Sequence, residues 1–127
     1  MAENTSEYGK IFPLSEGKNL FGEVKTSFSI NSNELLNYCS KTESVIMFGV
    51  ENATLCIAGS GRKILRPVDK TLPPEVVLRV FHIVKVKELI KLGENEITEI
   101  EIRGEVLDLK NGEFILELGL PCPPYCS

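Results

Sequence analysis

The chain has a single histidine, four cysteines, no surplus of basic charge and no apolar run near the length of a bilayer crossing. With His82 alone, no spacing rule assembles a histidine-based metal cluster, a Cys-His pair or a Ser-His-Asp triad, and His82 itself sits in an apolar strand pattern that implies a structural role. The longest apolar stretches fall well short of the roughly 20 residues that span a membrane, and Met1–Lys10 is polar, without the apolar segment of a secretory signal. These features predict an intracellular, cytoplasmic protein with no membrane partner. The formal charge of −4 argues against nucleic-acid binding through a generally basic surface, because phosphate backbones are held mainly by clustered Lys and Arg. A local basic face remains compatible with that balance.

Two of the cysteines, Cys39 and Cys56, lie in regular segments and read as small buried hydrophobes. The other two, Cys122 and Cys126, lie in the tail PCPPYCS at a C-x₃-C spacing among prolines that stiffen the backbone. They leave three alternatives open: no bond, a local disulfide, or half of an intermolecular metal site. The 127 residues are about the modal size of one domain, enough for a hydrophobic core without staples. One domain over 1–127 is expected, with a polar tail over 1–7 and a Pro/Cys-rich tail over 119–127.

The richest stretch runs from Pro74 to Pro121. Glu75–Ile83 is dense in β-branched and aromatic residues. Val84–Leu92 shifts to helical spacing and stops at Gly93. Ile97–Arg103 (ITEIEIR) alternates strictly, and Lys110-Asn111-Gly112 joins two further strands, Asn-Gly being the preferred centre of a type I′ hairpin turn. The first half of the chain has the same order. Tyr8–Leu14 predicts an edge strand limited by Pro13, and Leu20–Ile30 a strand with one wet face. Asn31, followed by Glu34, supplies a cap for a short helix over Asn33–Ser40. Ser44–Val50, Ala53–Ala58 and Arg62–Arg66 follow as hairpin-linked strands, and the Pro-rich segment Arg66–Pro74 separates the halves. Each half thus reads strand, short helix, strands, a repeat of pattern without residue identity. The fold class predicted is α+β, a mostly antiparallel sheet with two short helices on one face, built from two similar β-α-β units.

Four segments, FSINSNELLNYC (Phe28–Cys39), VENATLCIAG (Val50–Gly59), VFHIVKVKELIKL (Val80–Leu92) and EIEIRGEVLDLKNGEFILELGLP (Glu99–Pro121), carry a resemblance to one domain of a DNA sliding clamp, the processivity-factor fold. It extends over about 100 of the 127 residues as an order of strands and helices with apolar positions. The resemblance implies a non-catalytic binding or assembly protein, not an enzyme, that acts as a homo-oligomer on duplex DNA or with a replication protein. A single domain would need about six copies to close such a ring. It also implies DNA-facing lysines on the helices: Lys85, Lys87 and Lys91 on the second, Lys87 and Lys91 being i and i+4 on one face, and Lys41 at the end of the first.

Other candidate sites have plainer counterparts. Gly59-Ser60-Gly61-Arg62-Lys63 has glycines and charge suited to an anion, but fits no phosphate-loop template and precedes a strand, so a hairpin turn is the simpler reading. Glu99 and Glu101 share a strand face, and Asp108 and Glu117 approach across the hairpin. Paired acids of this kind suit a metal-dependent hydrolase, while alternation with isoleucine suits a solvated strand face. Pro123, Pro124 and Tyr125 in the tail suit docking into a partner groove or a strap over the domain's own edge. No cofactor, metal site or catalytic residue is expected. An OB-type small barrel serving as a subunit of a polymerase or nucleic-acid complex is the main alternative architecture.

Overall fold

Two five-stranded sheets, antiparallel throughout, exchange strands with each other through two short helices. The structure, a computed structural model, describes residues 9–16, 25–67, 72–73, 75–103, 106–117 and 119–122. Its elements are β1 (Lys10–Pro13), β2 (Thr26–Asn31), α1 (Ser32–Cys39), β3 (Val45–Glu51), β4 (Thr54–Gly59), β5 (Lys63–Arg66), β6 (Leu78–His82), α2 (Ile83–Gly93), β7 (Ile97–Arg103), β8 (Val106–Asn111), β9 (Phe114–Glu117) and β10 (Leu120–Cys122). The α+β class read from the sequence holds, with the strands divided between two sheets.

The first sheet has the order β1-β9-β8-β7-β2 and the second β10-β6-β3-β4-β5. Strand β2 therefore lies beside β7, while the β3-β4-β5 meander that follows α1 joins β6 in the other sheet. Strand β6 likewise sends β7-β8-β9 back to the first sheet through α2. The two halves, β2-α1-β3-β4-β5 and β6-α2-β7-β8-β9, thus occupy equivalent places, each lending its first strand to the other's meander. Two open sheets replace the single closed barrel of the OB-type alternative.

Alternation assigns the inward side chains. Ile30 from β2, Ile46 and Phe48 from β3, Leu55 and Ile57 from β4, Phe81 from β6, Ile100 from β7, Leu107 and Leu109 from β8 and Leu116 from β9 meet Leu35 and Cys39 of α1 and Val86 and Leu89 of α2 in one core. Fully burying such a side chain stabilises by about 1.5–3 kcal/mol. The rings of Phe48 and Phe81 meet edge-on, 6.0 Å between centroids at 61°, the arrangement that aromatic quadrupoles favour.

The outer face of the second sheet is also covered. Val45, Met47, Ala58, Leu78 and Val80 form a second cluster, with Leu72 and Val76 packed on it. The Arg62 guanidinium holds that crossover segment by donating to the carbonyls of Pro73 (3.1 Å) and Val76 (3.0 Å). Two-sided burial explains why Val45–Val50 is an unbroken apolar run whereas β7 alternates.

Local signals are placed as expected in some cases and displaced in others. The Asn31 side chain accepts from the N–H groups of Asn33 (2.8 Å) and Glu34 (3.3 Å), which caps α1. The hairpin at Asn111-Gly112 forms, but Asn111 pairs with Phe114 and leaves Gly112-Glu113 as the loop. The turn with two positive φ angles is instead Asn52 (51°) and Ala53 (61°), between β3 and β4. Helix α2 ends on Gly93, yet the left-handed residue is Glu94 (φ 56°), whose N–H donates to the Ile90 carbonyl at 3.0 Å.

Candidate functional site

Helices α1 and α2 pack beside each other, and their outward sides form one surface. Burial of Leu35 and Cys39 on α1 and of Val86 and Leu89 on α2 turns Asn33, Glu34 and Asn37 outward from the first helix and Val84, Lys87, Glu88, Lys91 and Leu92 from the second. The acids on this surface are engaged. Glu34 accepts from the Tyr38 hydroxyl at 3.2 Å and lies 3.8 Å from the Arg66 guanidinium. Glu88 lies 4.0 Å from the half-buried Lys85. Such exposed pairs contribute only about 0–1 kcal/mol, but they leave the acids neutralised where they stand.

The lysines are placed differently. Lys87 and Lys91 are exposed, one turn apart, and form no ion pair with any described residue. Lys41 follows α1 and sets its ammonium 5.7 Å from the centroid of the Tyr38 ring. Its charge favours the negative end of the helix dipole. Burial pushes the Cys39 thiol up to about 11, and the Lys87 charge opposes that rise. The Tyr38 hydroxyl is raised by burial first, then by its bond to Glu34 and the Glu34 charge, with Arg66 opposing. Of the four predicted lysines, Lys41, Lys87 and Lys91 form no ion pair among the described residues, while Lys85 is paired.

The Gly59–Lys63 segment makes the turn between β4 and β5. Ser60–Arg62 is one turn of 3₁₀ helix, with Gly61 at φ 74°. Thr42 anchors it: the Ser60 N–H donates to Thr42 Oγ1 at 2.7 Å, and the Thr42 hydroxyl reaches Ser60 Oγ at 3.1 Å. Arg62, which the sequence adds to the anion-binding charge, is committed to the crossover segment instead.

The acidic row is a correction to its expected solvation. Glu101 pairs in register with Asp108, and Leu109 with Leu116, which sets Asp108 opposite Glu117. The three lie side by side across β7, β8 and β9. Asp108 and Glu117 are fully buried and Glu101 is 7% exposed, so this is no wet strand face. Lys110 stands 3.2 Å from Glu101 and 3.5 Å from Glu99, and Glu101, Asp108 and Glu117 each have a further partner. No group of three metal-ligating side chains is arranged to hold an ion among the described residues.

His82 is half-buried and occupies the cap position of α2 without a side-chain capping bond. Its strand face carries Leu78 and Val80 and is apolar, although alternation with Phe81 predicts the more polar face of the sheet for it. Cys39 and Cys56 are buried free thiols, as expected. Pro123, Pro124, Tyr125 and Cys126 lie outside the described residues, as does the side chain of Cys122, and with them the tail disulfide and docking readings.

Sequence reasoning missed a buried polar cluster that joins the two halves. Asn111 Nδ2, with two protons to donate, lies 2.9 Å from Thr98 Oγ1, 3.0 Å from the Asn95 carbonyl and 3.1 Å from Ser32 Oγ, while its Oδ1 accepts from the Asn95 N–H at 2.9 Å. Ser32 Oγ also lies 2.8 Å from Thr98 Oγ1. The available signal was Thr98, a polar residue on the same strand face as Ile100 and Ile102. No helix among the described residues is long and apolar enough to cross a membrane. No family model, curated protein or solved structure matches the chain.

Proposed function

We propose that this chain is a non-catalytic binding and assembly domain, similar to a sliding-clamp domain, that acts as a homo-oligomer with its helices toward duplex DNA. The observation that carries the reading is the exchange of first strands between two equivalent strand-helix-strand units, which sets α1 and α2 side by side on one surface. On that surface Lys41, Lys87 and Lys91 have no acidic partner among the described residues, while Glu34 and Glu88 are paired. One acidic protomer generates little positive field, but several copies facing a shared opening sum theirs. Strands β2 and β5 each close a sheet among the described strands, and such edges offer backbone groups to a neighbouring copy.

Size-exclusion chromatography with light scattering tests assembly: a closed oligomer is expected, and a monomer at all concentrations would overturn the ring. Fluorescence anisotropy with labelled duplex tests the face. Binding should be weak, independent of sequence and steeply weakened by salt, because phosphate contacts release counterions. The double variant Lys87→Glu, Lys91→Glu should abolish it and keep the fold, both side chains being solvent-facing. Equal binding by the two proteins, or by neither, would remove duplex DNA as the partner of this face.

A further inference from the structure

A second polar site lies at the end of the domain where the α1–β3 connection meets the β4–β5 turn. Lys41, Thr42, Ser60, Gly61 and Lys63 line a pocket of about 350 Å³, together with Glu43. Lys41 and Lys63 are exposed and have no ion-pair partner among the described residues. The Thr42 hydroxyl donates to the Val45 carbonyl at 3.0 Å, and the Ser60 hydroxyl lies 3.1 Å from Thr42 Oγ1 and 3.4 Å from both the Ser44 N–H and the Ser44 hydroxyl, long contacts in an exposed turn that a ligand oxygen can replace. The left-handed Gly61 has no heavy atom within 4 Å of where a Cβ would stand, which leaves its backbone open to a ligand.

We propose that this pocket takes a phosphate group, with Lys41 and Lys63 supplying the charge and the Ser60 hydroxyl a hydrogen bond. A phosphate needs compact cationic donors and close approach to backbone, and two ammonium groups, a hydroxyl and an unobstructed glycine meet that need. Glu43 opposes the charge and sets a direction for its own substitution. The source of the phosphate is either a nucleic-acid backbone or a small free phosphate. The pocket stands on its own residues and does not depend on Lys87 or Lys91.

The test is an amide NMR titration of the full chain with inorganic phosphate, against sodium chloride at matched ionic strength. Saturable shifts at Thr42, Ser60, Gly61 and Lys63 are expected with phosphate only. The double variant Lys41→Gln, Lys63→Gln should weaken binding at least about tenfold, since a charge-assisted hydrogen bond carries about that factor. Glu43→Gln should tighten it, and Lys87→Glu, Lys91→Glu should leave it unchanged. Shifts equal in phosphate and chloride, or undiminished in the Lys41/Lys63 variant, would overturn the site. Duplex DNA added to the phosphate-saturated protein then identifies the source: displacement supports a backbone phosphate in the pocket, and unchanged shifts support a small phosphate there.

Discussion

Gly93, the last residue of α2, lies so close to Asn111, the last residue of β8, that a Cβ at position 93 would overlap the Asn111 carbonyl and its side-chain Oδ1. Close approach, not backbone freedom, is the reason for glycine there, since the left-handed conformation falls on Glu94.

Replacing Gly93 with Ala should therefore destabilise the fold in spite of better helix propensity. Propensity favours Ala by about 1 kcal/mol, whereas overpacking against backbone costs about 1–3 kcal/mol. Urea denaturation should show a net loss for Gly93→Ala and a net gain for Glu94→Gly. A gain for Gly93→Ala would mean that the helix end and the hairpin separate freely.

Ala53 sits at φ 61° in the β3–β4 turn. A left-handed conformation costs an L-residue about 1–2 kcal/mol, against about 0.5–1 kcal/mol of extra chain entropy lost by glycine. Ala53→Gly should raise the unfolding free energy by up to about 1 kcal/mol, read as a higher urea midpoint at unchanged slope.

Asn111 joins α1, the α2–β7 connection and β7 through one buried amide. Asn111→Ala should cost about 2 kcal/mol or more, because buried partners left without a bond carry the full desolvation penalty. Amide hydrogen exchange at Asn95 should accelerate with it. An exchange rate at Asn95 equal to that of wild type would show that its N–H has another acceptor.

Cys39 predicts a pH effect of definite sign. Its folded value is pushed up to about 11 by burial from an ordinary 9.0, so both states hold the proton below pH 9 and the contribution to stability is complete there. Between about 9 and 11 the unfolded thiol ionises while the folded one stays protonated, and about 2–3 kcal/mol is lost. The stability difference between wild type and Cys39→Ala should narrow over that window and stay constant below it. A constant difference from pH 8 to 11 would mean that the thiol does not feel its burial.

The side chains expected in the core were legible where periodicity was unambiguous. The expected core is Phe28, Ile30, Leu35, Leu36, Ile57, Phe81, Ile83, Leu89, Ile90, Ile100, Ile102, Phe114, Leu116 and Leu118; of these Ile30, Leu35, Ile57, Phe81, Leu89, Ile100 and Leu116 are buried, Phe28, Leu36, Ile83, Ile90, Ile102 and Phe114 are half-buried, and Leu118 lies outside the described residues. The cap at Asn31 and the edge position of Pro13 were legible for a related reason, since both depend on backbone groups within a few residues. The candidate lysines were legible as positions on a helix, because exposure at i and i+4 follows from the buried stripe opposite.

What the linear order determined is therefore local: helix faces, strand alternation, a cap, an edge and the repeat of two strand-helix units. Which strands share a sheet was decided only in three dimensions, because β2 pairs with β7 and β6 with β3 across long stretches of chain that no short-range pattern encodes. The same holds for the acids. ITEIEIR reads as a strand with one wet face, yet Glu101 is almost fully covered, because burial is set by what lies over a strand and not by its own alternation. Arg62 and Lys63 are neighbours in sequence with equal charge, and the fold sends one to the carbonyls of Pro73 and Val76 and leaves the other at an open pocket. A charge becomes available for a ligand only where packing supplies no partner for it.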